Sequence, residues 1–174
     1  MSLLLQHSLA QKYGTMAATP KKYATFAQIL TMPARFYEQE VSSKLKDKRK
    51  LSAFLDTLVQ KHRKKVKHTQ LTYIFCDDAY LLQINQQFLN HNTFTDIITF
   101  DLSDGDDNLQ GEIYISTERV AENAAKFGKT YADELHRVIF HGALHLCGFK
   151  DKTTADREEM RKKEDLCLKQ YFKG

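Results

Sequence analysis

The sequence predicts an α+β domain, a small mixed β-sheet of about four strands packed with about five helices. Two observations carry this. Short runs rich in β-branched and aromatic residues are interspersed with longer stretches whose apolar residues recur at i, i+3, i+4 and i+7. The length of 174 residues, with 42% apolar residues, two prolines and seven glycines, fits one globular unit with an appendage. It excludes collagen-like, linker-like and largely disordered chains.

In chain order, residues 1–31 read differently from the rest, with little charge and no sustained period, and are expected to be a poorly ordered extension. Leu3 to Leu5 is followed at once by Gln6 and His7, so the uninterrupted apolar core of a secretory signal is missing. The domain is expected over residues 32–174. Ala34 to Glu38 reads as a short strand. Leu51, Phe54, Leu55, Leu58 and Val59 form one helical stripe that ends in the cations Lys61 to Lys65, as suits a helix C-terminus. Leu71 to Cys76 is a strand, and Asp77 or Asp78 then caps a helix carrying Leu81, Ile84 and Phe88. Asp96 to Leu102 and Glu112 to Ser116 are strands in a hairpin-like arrangement around the turn-rich residues 104–108. Thr117 opens a short helix that Gly128 stops. A longer helix starts near Thr130 and runs to Cys147, and a last one starts at Thr153 or Thr154 and carries Met160, Leu166, Leu168 and Tyr171.

No apolar run approaches the ~18 residues a membrane span needs. The formal charge of +4 permits a polyanionic partner without requiring one. The odd, widely separated cysteines Cys76, Cys147 and Cys167 argue against a disulfide framework and for a reducing, cytoplasmic setting.

The chemistry concentrates in one place. His141 and His145 stand at i and i+4, so their rings project from one helix face and can converge on one ion. Gly148 supplies the left-handed residue that turns the chain back, and Asp151 can return a carboxylate to the same point. Three protein ligands leave a fourth tetrahedral position open, the arrangement of a catalytic zinc, so the domain is expected to be zincin-like. The spacing approaches the metzincin protease motif, but that motif has a glutamate base directly after the first histidine. Here that position is Gly142, which disfavours peptide hydrolysis.

The segment His141-Gly142-Ala143-Leu144-His145-Leu146-Cys147-Gly148 resembles the signature of the YbeY family of bacterial metal-dependent endoribonucleases. Leu89 to Phe100 is similar to that family's strand-entry segment, and Gly111-Glu112-Ile113 follows in the right order. The resemblance runs from about Met32 to the end. It implies an α+β fold around a zinc-bearing helix and cleavage of single-stranded RNA in rRNA maturation, at the 16S 3′ end, and in ribosome quality control. It implies one zinc ion, rRNA in ribosomal particles as partner, no organic cofactor and no membrane. His141 and His145 match two zinc ligands. The third, usually histidine in the family, is Asp151 here, and its negative charge makes the metal a weaker Lewis acid. Where many members carry an arginine expected to meet RNA, this chain has Leu89.

Arg137, one turn before His141, is a candidate to reach the scissile phosphate, or else to pair with Glu134. Lys150 and Lys152 flank Asp151, and the basic runs over residues 44–50 and 61–67 are candidate RNA footprints, though neither offers an aromatic stacking platform. The turn Asp104 to Asn108 lacks the glutamate that closes a calcium loop and reads as an exposed turn. Cys147 reads as a buried thiol rather than a nucleophile. Two alternatives stay open: a metzincin-like protease, and a non-catalytic ribosome-assembly factor with a structural metal. The sequence also leaves open whether water attacks phosphorus or a 2′-OH is deprotonated.

Overall fold

Strand β2 (His68–Cys76) shows how the sheet is made: Leu71, Tyr73 and Phe75 turn to one face while Ile74 and Cys76 turn to the other. Both faces are therefore covered. The computed structural model describes residues 32–173, so the expected extension over residues 1–31 lies outside the described residues. The order of elements is β1 (Ala34–Glu38), α1 (Lys48–His62), β2, α2 (Asp78–Leu89), β3 (Ile97–Asp101), β4 (Asn108–Ser116), α3 (Thr117–Phe127), α4 (Tyr131–Leu146) and α5 (Thr154–Lys173). The α+β class, the four strands and the five helices agree with the sequence reading.

The sheet order is β1-β2-β4-β3, with β1, β2 and β4 parallel and β3 antiparallel at the edge. Strands β2 and β4 pair along their whole length, from His68 opposite Asn108 to Cys76 opposite Ser116. This explains why both begin earlier than their composition predicts. His68 to Gln70 and Asn108 to Gly111 are strand because a partner lies alongside, and their side chains carry little signal of it.

The larger core lies on one face, where Leu71, Tyr73, Phe75, Ile113 and Ile115 meet Leu51, Leu55 and Val59 of α1, Val120 of α3, and Ile139 and Phe140 of α4. Helix α5 adds Met160, Cys167 and Tyr171. The other face is smaller, with α2 laying Leu81 and Ile84 on Ile98, Phe100 and Tyr114. Each such large apolar side chain contributes about 1.5–3 kcal/mol on burial, so the core under α4 makes that helix a rigid base for a site.

The helix starts fall where the sequence places them, and Ser116, read as the end of a strand, also caps α3. Asp77, Ser116 and Thr130 each accept the backbone N–H of the third residue of α2, α3 and α4. Thr153 and Asp156 cap α5 reciprocally, each accepting the other's N–H at 3.1 and 3.0 Å.

Candidate metal centre

Helix α4 is pressed onto the sheet by its sequence. An added Cβ at Gly142 would stand 2.9 Å from Ile113 Cγ2 and 3.0 Å from Ile97 Cδ1. Glycine there lets the helix close against β3 and β4, a packing reason for the residue that also removes a base from the protease position. The buried Tyr73 hydroxyl donates to the Ile139 carbonyl at 3.1 Å and pins the helix from below.

The helix ends in two crossed hydrogen bonds, Gly148 N–H to the His145 carbonyl at 2.9 Å and Phe149 N–H to the Leu144 carbonyl at 3.1 Å. Gly148 has φ of 98°, as the turn requires. Arg63 donates to the Leu146 carbonyl at 3.0 Å. This cation of the 61–67 run therefore closes the helix end.

The turn brings the three predicted ligands together. Ligand atoms of His141, His145 and Asp151 all lie within 4.8 Å of one another. Asp151 Oδ2 is 3.7 Å from His141 Nε2 and 3.6 Å from His145 Nε2, with its side chain 45% exposed. Each ring is fixed from behind. His145 Nδ1 donates to the Phe149 carbonyl at 3.0 Å, since a carbonyl can only accept. His141 Nδ1 meets Glu164 Oε1 at 2.8 Å. Burial raises the Glu164 carboxyl, but hydrogen bonds from His141 and Arg137 outweigh it and hold the group below its ordinary value, so it accepts as a carboxylate.

These partners decide the tautomers. Burial, and then the neighbouring His141, lower the pKa of His145 and favour the neutral ring. With its Nδ1 donating, the neutral His145 ring carries its lone pair on Nε2, which faces His141 Nε2 at 2.9 Å. Two bare lone pairs at that distance repel, so either a proton or a metal ion lies between them. Tetrahedral zinc at about 2.0–2.1 Å from each nitrogen asks for a separation of roughly 3.3 Å, an opening of a few tenths of an ångström. The donor set of two imidazoles and a carboxylate fits a zinc ion.

Glu164 is the residue the sequence reading missed. It sits in the buried stripe Met160, Glu164, Cys167 and Tyr171 of α5, and an acid at a helical core position was the available signal. Arg137 lies behind His141. It donates to Glu164 Oε2 at 3.0 Å and reaches Asp165 Oδ1 at 2.7 Å, with Glu134 farther at 3.9 Å. Lys150 and Lys152 are exposed beside Asp151. Lys65 and Lys67 pair with Asp106 and Asp107 of the 104–108 turn, whose Asp104 accepts from Asn108. The three cysteines are free thiols, and burial pushes the Cys147 thiol up to about 12, far from a reactive nucleophile.

A cleft of about 520 Å³ runs from His141, His145 and Asp151 along β3 to Asn85 and Leu89 of α2. Ser116 N–H bonds to the Asp96 carbonyl, and Leu102 N–H to that of Gln110. With the antiparallel register, this places the peptide groups of Ile97, Thr99 and Asp101 on the open edge of the sheet. Thr99 lines the cleft with its Oγ1 buried and unpartnered. Among the described residues, no helix is long and apolar enough to cross a membrane.

Comparison with known proteins agrees with the geometry. The family model described as Endoribonuclease YbeY matches residues 36–172. The Cytophaga hutchinsonii protein named Endoribonuclease YbeY is 45% identical over 133 residues, covering 76% of this chain and 92% of that protein. A Flavobacterium psychrophilum protein of the same name is 58% identical over 102 residues, covering 59% of this chain and 72% of its own. The solution structure of a Thermotoga maritima protein matches with a TM-score of 0.53 at 28% identity, covering 80% of this chain and 89% of that one.

Proposed function

The chain belongs to the Endoribonuclease YbeY family, and from that premise we propose that it is a zinc-dependent endoribonuclease of single-stranded RNA. Its substrate in this reading is rRNA within ribosomal particles, cut at the 16S 3′ end and in ribosome quality control, in the cytoplasm. Residues 32–174 are the nuclease domain and residues 1–31 an extension to it.

The observation that carries the reading is the pair of facing Nε2 atoms, each ring locked by a donor bond on its far side. His141, His145 and Asp151 would hold the ion. Zinc there supplies Lewis acidity toward a phosphoryl oxygen and a lowered pKa for water.

The chain's own residues do the rest. Glu164 accepts from His141, fixing the ring and strengthening it as a ligand. Arg137 in turn holds Glu164, so its effect on the reaction runs through that carboxylate. The Phe149 carbonyl does the same for His145. The edge of β3 offers peptide groups to an extended strand in the cleft. Peptide hydrolysis is the weaker reading, because Gly142 provides no base at the position where metzincins have one.

Purified protein incubated with zinc and either single-stranded RNA or casein, with and without chelator, tests the proposal. Zinc-dependent RNA cleavage with casein untouched is expected. His145→Ala is expected to lose both bound metal and cleavage while keeping the fold. Cleavage by a folded, metal-free His145→Ala protein would overturn the mechanism. Metal content of Asp151→Ala and Asp151→His checks the third ligand: the first is expected to bind zinc more weakly and the second to retain it.

A further inference from the structure

The basic runs offer no aromatic surface on which a base could stack, but the fold provides one elsewhere. Phe94 stands in the loop between α2 and β3 with 55% of its surface exposed. Its neighbours Thr93 and Thr95 both line the cleft that leads to His141 and His145.

The loop is held at both ends. Asn85 Nδ2 donates to the Thr93 carbonyl at 2.7 Å, Gln86 Nε2 to Asn92 Oδ1 at 2.7 Å, and Asn123 Nδ2 to Asp96 Oδ2 at 3.1 Å. An exposed aromatic ring on a pinned loop loses little freedom when something settles on it.

Behind the ring lies Arg119, with its Cζ 4.8 Å from the ring centroid. The guanidinium is anchored by Asp78 at 2.9 Å and Glu122 at 2.8 Å. With its charge answered by two carboxylates, Arg119 is poorly suited to seize a phosphate. It serves as a rigid polar backing to the ring.

We propose that Phe94 is a stacking platform for one unpaired nucleobase of the RNA strand that crosses this rim into the cleft. The proposal rests on the endoribonuclease reading. A base stacked within a duplex has no free face to offer, so the platform selects single strands without reading their sequence. The other exposed aromatic rings differ in setting: Tyr37, Phe127 and Phe172 belong to β1, α3 and α5, and none of them stands between two cleft-lining residues as Phe94 does.

The chain contains no tryptophan, so Phe94→Trp would place a single indole at the platform. Binding of a short 2′-O-methyl oligoadenylate to the full-length, zinc-loaded protein provides the test, with the probe checked intact afterwards. Phe94→Ala is expected to weaken binding by roughly tenfold. Phe94→Trp is expected to keep the affinity, with its emission quenched as the probe binds. Phe127→Ala is the control and is expected to bind as wild type does. Equal affinity of Phe94→Ala and wild type, or an indole emission indifferent to the probe, would overturn the platform. If wild type cleaves single-stranded RNA and these outcomes still occur, the platform alone fails. If wild type neither binds nor cleaves, the endoribonuclease reading fails with it.

Discussion

The two walls of the cleft are built on opposite plans. On the α4 side, each imidazole Nδ1 is tied to a specific acceptor, and the carboxylate behind His141 is itself held by Arg137. On the β3 side the groups are more loosely committed: among the described residues the Ile97 carbonyl accepts only from Thr95 Oγ1 at 3.2 Å, and Phe94, backed by Arg119, keeps 55% of its surface exposed. Chemistry needs its groups preset to a few tenths of an ångström. Recognition of a strand without a fixed sequence needs groups that accept many partners. One wall is a finished instrument and the other is an open hand.

The sharpest way to break this contrast is to loosen the finished wall. Glu164→Gln leaves the shape but weakens the anchor of His141 and removes a charge partner of Arg137, which keeps Asp165 at 2.7 Å. Zinc affinity and kcat/KM are expected to fall about 10–100-fold, read by metal titration and cleavage of a labelled RNA. Gly142→Ala attacks the spacing between the walls. Its new methyl would meet Ile113 and Ile97, forcing α4 away from β3 at a cost of about 1–3 kcal/mol in a denaturant titration. The open wall is probed by Leu89→Arg, at a cleft position now 39% exposed. A gained phosphate contact is expected to tighten RNA binding a few-fold and to steepen its dependence on log salt by about 0.7.

The smallest expected effect lies outside both walls. His136 is buried, and burial holds its imidazole below the ordinary histidine value despite the Ala132 carbonyl and nearby acids. The unfolded chain therefore takes up the proton first. The stability this neutral ring contributes is complete above about pH 6.5 and is lost as pH falls through the lowered folded value. His136→Phe, which keeps a ring beside Phe140 and Tyr171, is expected to reduce the acid-induced drop in Tm by about 1–3 °C, measured with chelator present.

Much of the α4 wall was legible in the sequence because it is local. His141, His145 and Gly148 fall within eight residues, and helical periodicity alone sets their directions. Thr130, Asp133 and Gly128 marked the ends of helices for the same reason. Leu71, Tyr73 and Phe75 announced a strand but not its neighbour, because the parallel pairing of β2 with β4 joins residues about forty apart. Glu164 stayed hidden among the charges of α5, where only the docked helix distinguishes a buried acid from the exposed ones around it. Phe94 had no periodicity to mark it, and what makes it a platform is Arg119, a partner contributed by another helix.

Glu164 also fixes an order of events. The two histidines and Asp151 leave the ribosome before the carboxylate that steadies His141, since α5 is synthesised after them. A chain lacking α5 would carry all three candidate ligands but no carboxylate behind His141. Full catalytic competence is then tied to the docking of α5, and a truncated product is expected to be a poor nuclease for want of a buttress, with all three candidate ligands still in place.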